Sequence, residues 1–137
     1  MWRDIRPELE EKLPAAEDLT RRWIEDGLAK ERLIGFVART SKNRIVGSGC
    51  LWIRPEQPRP TNPRLEVPYL MSMYTESEFR GRGVARRIVQ EALKWCREMR
   101  YDRVVLHASR QGMPLYESIG FEPTTEMVYR FKPAPKA

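Results

Sequence analysis

Between Leu70 and Gln90 (LMSMYTESEFRGRGVARRIVQ) an apolar strand pattern runs into a turn with two glycines among four arginines, and a helical pattern follows. Those residue types at that spacing suit a phosphate. The start of a helix exposes unpaired N–H groups and the positive end of the helix dipole. Gly81 and Gly83 lack a Cβ, so the backbone can bend into a cradle that a phosphate approaches closely. Arg80, Arg82, Arg86 and Arg87 add fixed positive charge around it. The plainer reading is a basic turn on a solvated helix.

Groups able to move protons are few. His107 is the only histidine. It alternates with Val104, Leu106 and Ala108, a pattern that offers it to a cleft or, as for many lone strand histidines, to a structural role. Glu66 opens the third strand pattern. Glu76 and Glu78 precede the glycine turn and are expected in solvent or paired with its arginines. Tyr116 falls in a short helix, where core packing is the plain reading. Cys50 and Cys96 each sit in an apolar pattern, which predicts buried free thiols in a reducing, cytoplasmic compartment. One histidine and no cysteine cluster predict no metal site.

The elements that must position these groups read in order. Residues 1–12 form a helical pattern with Trp2, Ile5 and Leu9 on one face. Pro14 marks a break. A second helix opens at Glu17 or Asp18 and runs to about residue 30, with Leu19, Trp23, Ile24 and Leu28 apolar. Residues 33–40 and 44–54 read as strands joined by a polar turn, a hairpin. Gly47 and Gly49 predict a bulge or a close backbone approach. Residues 55–64 hold four prolines and read as an irregular loop. Residues 65–75 form the third strand, in which Pro68 is awkward. Val84, Ile88, Ala92, Cys96 and Met99 then repeat at helical spacing. Residues 103–109 read as a strand, parallel to the third because a helix crosses between them. A short helix spans 111–118, Gly120 sits where a helix-ending glycine belongs, and 121–131 reads as a final strand. The expectation is one domain over 1–132 and a frayed tail at 133–137.

The chain has 137 residues, 41% hydrophobic and 32% charged, the balance of a soluble globular domain. No apolar run approaches the ~20 residues that span a bilayer, and the charged N-terminus does not read as a secretory signal. The net charge of +6 fits an anionic partner. Its concentration around residues 80–87 favours a compact polyanion over nucleic acid, for which no recognition signature is present.

Two motifs together carry a resemblance. Arg80, Gly83 and Ala85 fill an Arg/Gln-x-x-Gly-x-Gly/Ala pattern after a strand and before a helix. Downstream, Ser109, Gly112, Leu115, Tyr116, Gly120 and Phe121 fill a pattern of the form small/Asn-x-x-Ala/Gly-x-x-Leu-Tyr-x-x-x-Gly-Phe. Over residues 65–121 the chain resembles the GCN5-related N-acetyltransferases. The resemblance implies an α/β fold with a mixed, centrally splayed sheet flanked by helices. That family's usual first strand is not recognisable here.

The resemblance also implies a chemistry. The main chain of Arg80, Gly81, Arg82, Gly83, Val84 and Ala85 would hold the pyrophosphate of acetyl-CoA. Main-chain groups near Met73 and Thr75 would pair with its pantetheine arm, which Ser109 and Gly112 would also meet. An N–H near Met73 would hold the thioester oxygen. Tyr116 occupies the position of the acid that protonates the leaving sulfur. Glu66 is the candidate base for the attacking amine. Trp2, Trp23, Trp52 and the proline-rich loop are weaker candidates for shaping the acceptor side. The implied function is acetyl transfer to a primary amine of a small molecule or peptide, with a second copy of the chain covering the sheet edge. The alternative is a CoA sensor that binds without turnover.

Overall fold

The computed structural model describes residues 7–133 of the chain. Leu33–Arg39 (β1) and Ile45–Pro55 (β2) form the predicted antiparallel hairpin. Asn43 makes the turn tight by adopting φ +65°, with its N–H on the Thr40 carbonyl at 2.9 Å. Glu66–Thr75 (β3) pairs antiparallel with β2, and Val105–Leu106 (β4) pairs parallel with β3. The sheet order is β1-β2-β3-β4, a mixed sheet flanked by helices as expected.

The helix Val84–Glu98 (α2) follows its sequence pattern closely. Ile88, Val89, Ala92 and Cys96 are buried, and full burial of an aliphatic side chain contributes roughly 1.5–3 kcal/mol. Gly47 and Gly49 explain how the helix comes so close to β2. A Cβ on Gly47 would lie 2.7 Å from Val84 Cγ1, and one on Gly49 would lie 2.4 Å from Met73 Sδ. The two glycines are therefore the seat of α2. The β2–β3 register also shifts between Ser48 and Cys50, so both halves of the sequence expectation hold.

Pro68 is fully buried within β3. It is tolerated because its partner Ile53 directs its own N–H to the Arg32 carbonyl on the β1 side, at 2.8 Å. The ladder to β2 therefore asks no donor of Pro68 there. The proline-rich loop is anchored by Asn62, which is 7% exposed and donates to Asp102 at 2.7 Å.

Several expectations change. The second helix runs from Leu13 to Ala29 (α1), preceded by a 3₁₀ turn over Pro7–Lys12. Pro14 lies in the first turn of α1, where its missing N–H is not needed, and does not break the chain. Its expected apolar face is largely open: Leu19 and Leu28 are 65% and 50% exposed, and the contact with β1 is made by Gly27 on Leu33. Trp2, Ile5 and the residues from 134 onward lie outside the described range. The fourth strand is two residues long, not seven. Cys96 is a buried free thiol, whereas Cys50 is only half-buried.

Two compact units divide the chain between His107 and Ala108. The second contains the helix Met113–Ile119 (α3), ended by Gly120 at φ +120°. The final strand expected over 121–131 is not formed among the described residues. Met127, Val128, Tyr129 and Phe131 are 93%, 67%, 81% and 87% exposed. Neither face of that segment is buried, and without a paired neighbour it has no ladder to join.

Candidate functional site

The turn before α2 has the geometry that its glycines predicted. Gly81 and Gly83 take φ +74° and +79°, and at neither does any heavy atom lie within 4 Å of where a Cβ would stand. The space beside the backbone is open, and the left-handed conformation is what requires glycine. Gly83 caps α2, and its carbonyl accepts the first helical bond, from the Arg87 N–H at 3.1 Å. The N–H groups of Val84, Ala85 and Arg86 therefore have no acceptor within the helix. They form a donor set suited to a phosphate.

The arginines around this turn do different work. Arg80 donates through Nε to the Thr75 carbonyl at 3.0 Å, tying the turn to the end of β3. Its guanidinium lies 5.8 Å from the Tyr74 ring centre. Arg82 stands 5.2 Å from the Phe79 ring centre. Glu78 is exposed to solvent, one of the two expected outcomes, and neither Glu76 nor Glu78 pairs with the turn's arginines. Both pair with Arg44 from the β1–β2 hairpin, at 2.5 Å and 3.8 Å. Arg82 and Arg87 have no ion pair among the described residues and remain exposed beside the glycines. A groove between β1 and the start of α2, lined by Phe36, Ala38, Arg82, Gly83, Val84 and Ile88, opens onto the same turn.

Beside the turn the sheet is split. β3 and β4 pair at Tyr69 with Val105 and at Leu70 with Leu106, and nowhere else. Two residues after the last pair, Ser72 takes φ +55° and is exposed. A non-glycine residue in that conformation costs of order 1–3 kcal/mol, so its surroundings must hold it there. Beyond this irregularity β3 carries Met73 and Thr75 along an edge that β4 does not cover. The Met73 side chain lies over Gly49, on the α2 side of the sheet. The Thr75 carbonyl is occupied by Arg80.

Glu66 is placed differently from the expectation of a free base. Its Oε2 accepts from Arg32 Nη1 at 3.1 Å and its Oε1 from the Tyr101 hydroxyl at 2.8 Å. Arg32 also donates to the Ile53 carbonyl at 2.7 Å. Both carboxylate oxygens thus cross-link β3 to the start of β1 and to the loop after α2. Burial, first, and then the Glu66 carboxylate push the Tyr101 hydroxyl up to about 12.

The sequence reading passed over Tyr69. Its hydroxyl hydrogen-bonds His107 Nδ1, with the ring centres 5.6 Å apart. Trp52 meets Tyr69 edge-on at 6.2 Å, and Trp23 meets Trp52 edge-on at 5.8 Å. Arg54 lies 5.0 Å from the Tyr69 ring centre. The only signal in the sequence was register, because parallel pairing sets Tyr69 beside the strand that His107 directly follows.

In the second unit, Ser109 and Gly112 shape the seat of Tyr116. The Ser109 hydroxyl accepts from the Gly112 N–H at 3.1 Å, and its carbonyl accepts from the N–H of Met113 at 3.0 Å. A Cβ on Gly112 would lie 3.0 Å from Tyr116 Cε2. The spacing of the motif therefore has a local cause: a small residue lets the tyrosine ring fold back over the turn. Phe121 meets Tyr116 edge-on at 5.8 Å. Burial raises the Tyr116 hydroxyl, which keeps it protonated at neutral pH.

Comparison with known proteins adds an independent line. The profile of the acetyltransferase (GNAT) family matches residues 1–121. Human N-acetyltransferase 8B is 31% identical over 98 residues, which are 69% of this chain and 41% of that protein. Glucosamine 6-phosphate N-acetyltransferase of Trypanosoma brucei brucei is 30% identical over 78 residues, 57% of this chain and 51% of that protein. The chain thus spans about half the length, or less, of these relatives. Among solved structures, a GCN5-related N-acetyltransferase from Ralstonia eutropha JMP134 superposes with a TM-score of 0.79 at 28% identity, covering 88% of this chain and 78% of that one. A predicted acetyltransferase from Clostridium acetobutylicum, solved with acetyl-CoA, gives 0.73 at 27% identity, covering 80% and 71%.

Proposed function

The chain belongs to the GNAT acetyltransferase family, and on that premise we propose that it transfers the acetyl group of acetyl-CoA to a primary amine. The observation that carries this reading is the turn over Arg80–Ala85, which follows β3: two left-handed glycines, a helix start whose first N–H groups have no acceptor within the helix, and two exposed arginines, Arg82 and Arg87, with no ion pair among the described residues. The residues present fit the charge and size of a pyrophosphate. The Val84 and Ala85 N–H groups would receive it, with Arg82 and Arg87 supplying charge. The uncovered edge at Met73 and Thr75 would take the pantetheine amides as an added strand, with Ser109 and Gly112 as further contacts from the second motif.

Acetyl-CoA supplies an activated acyl thioester. The chain's own residues do the rest. A main-chain N–H near Met73, just past the Ser72 irregularity, orients and polarises the acyl oxygen. Tyr116 holds a proton for the departing sulfur, and its raised hydroxyl keeps that proton in place until a thiolate develops. The acceptor is a small-molecule or peptide amine. The protein acts as a cytoplasmic enzyme, one domain over 1–132, and a second copy covers the open edge of β1.

Mass spectrometry after incubation with acetyl-CoA and a panel of primary amines tests the reading, alongside thiol release and thermal stabilisation by CoA. Acetylated product with matching thiol release supports it. Stabilisation without turnover would shift the assignment to a sensor, and neither signal would remove the phosphate turn itself. Light scattering that gave a monomer would sink the second copy.

A further inference from the structure

We propose that Tyr69 and His107 together accept the proton that the acceptor amine must lose, an assignment that rests on the acetyl-transfer reading above. Three observations meet here. First, the pair stands where the sheet divides: Tyr69 is in the first of the two β3–β4 pairs, and His107 directly follows the last residue of β4. Any group seated along the open edge of β3 begins next to them. Second, the two side chains are hydrogen-bonded, hydroxyl to Nδ1, and His107 reaches solvent. Third, carboxylates on β3 and on the segments that flank β2 and β3 are engaged. Glu66 is held by Arg32 and Tyr101, Glu76 by Arg44, and Glu56 by Arg103. The Cys50 thiol on β2 is pushed up by burial, which removes it as a base near neutral pH.

An amine is protonated in water near neutral pH and must become neutral to attack. In the tautomer whose Nδ1 accepts, the ammonium proton passes to the Tyr69 oxygen as the hydroxyl proton moves to Nδ1. The imidazolium then releases one proton to solvent, and the imidazole returns to the tautomer whose Nδ1 accepts. The C–N bond to the acyl carbon forms and the C–S bond breaks. A second proton leaves the nitrogen while Tyr116 gives one to the sulfur and is reprotonated from solvent, so each turnover releases one proton in all. Imidazole suits this work because its charge changes near physiological pH. The groups that face the Tyr69 ring from β2 are Arg54, which is cationic, and Trp52, which is neutral.

The test compares wild type, Tyr69→Phe and His107→Gln, with acetyl-CoA and two probe amines, phenethylamine and a short peptide with a free α-amine. Near neutral pH both variants should lose about 10²-fold in kcat/KM, the scale of lost acid–base catalysis. The deficit should shrink as pH rises and the amine deprotonates unaided. Thermal stabilisation by CoA should not change. Equal kcat/KM and an unchanged pH profile in both variants would overturn the assignment while leaving acetyl transfer intact. If wild type acetylates neither probe, the single histidine decides by NMR titration: a midpoint moved by Tyr69→Phe supports the coupled pair, and an unmoved one overturns it. Loss of stabilisation by CoA in wild type would count against the acetyl-transfer reading instead.

Discussion

The two edges of β3 contrast sharply. Toward β2 the strand is paired from Glu66 to Thr75 with one register shift, and glycines seat α2 behind the partner. Toward β4 it is paired at two residues and then left open. One edge is paired along its length, and the other leaves the main chain beyond Leu70 uncovered by β4. Substitutions on the closed edge should therefore cost stability, and those around the open edge should cost binding or turnover.

The largest effect is expected in the glycine turn that follows β3. Gly83→Val should weaken CoA by about 10²-fold: a left-handed backbone costs roughly 1–2 kcal/mol for a residue with a Cβ, and the new side chain would fill the open space proposed for phosphate. Calorimetric titration with CoA checks this, and unaltered affinity would break the contrast. On the closed edge, Gly47→Val should destabilise by about 1–3 kcal/mol, since its side chain would overlap Val84; urea unfolding measures it. Glu66→Gln sharpens the comparison, because its carboxylate is a brace. It should cost about 1 kcal/mol of stability and leave the pH profile of turnover in place. A lost acid limb would return Glu66 to the role of base. The smallest effect concerns Tyr101. Its hydroxyl titrates higher in the folded chain than unfolded, so its contribution is present below the ordinary tyrosine value of ~10 and fades as pH climbs toward about 12. Tyr101→Phe should flatten the fall in Tm across that window.

What the sequence revealed follows from how local each feature is. The turn at Arg80–Ala85 and α2 were legible because glycine conformation and helical spacing act within a few residues. The parallel direction of β4 followed from chain topology, but its length did not. The last β3–β4 pair lies two residues before Ser72, and a serine held at positive φ has no sequence signature. The brace on Glu66 comes from Arg32, distant in sequence, so spacing within the strand could not disclose it. Tyr69 escaped notice for the same reason, its partner lying on another strand. Pro14 misled because proline breaks a helix interior yet opens a first turn well. The apolar run Met127–Tyr129 with Phe131 suggested a strand, but an apolar run without a paired neighbour is not one.

The brevity of the β3–β4 seam also bears on motion. Its two rungs are closed only through the long crossover carrying α2, while the β2–β3 ladder is long and nearly local. Local opening draws on the regions with the fewest contacts. The amides of Val105 and Leu106 should therefore exchange with deuterium through a shallow opening, while those of Leu51 and Val67 wait for global unfolding. A ligand seated along the free edge of β3 would add rungs to that seam, so its arrival should be visible as slowed exchange at the least protected part of the sheet.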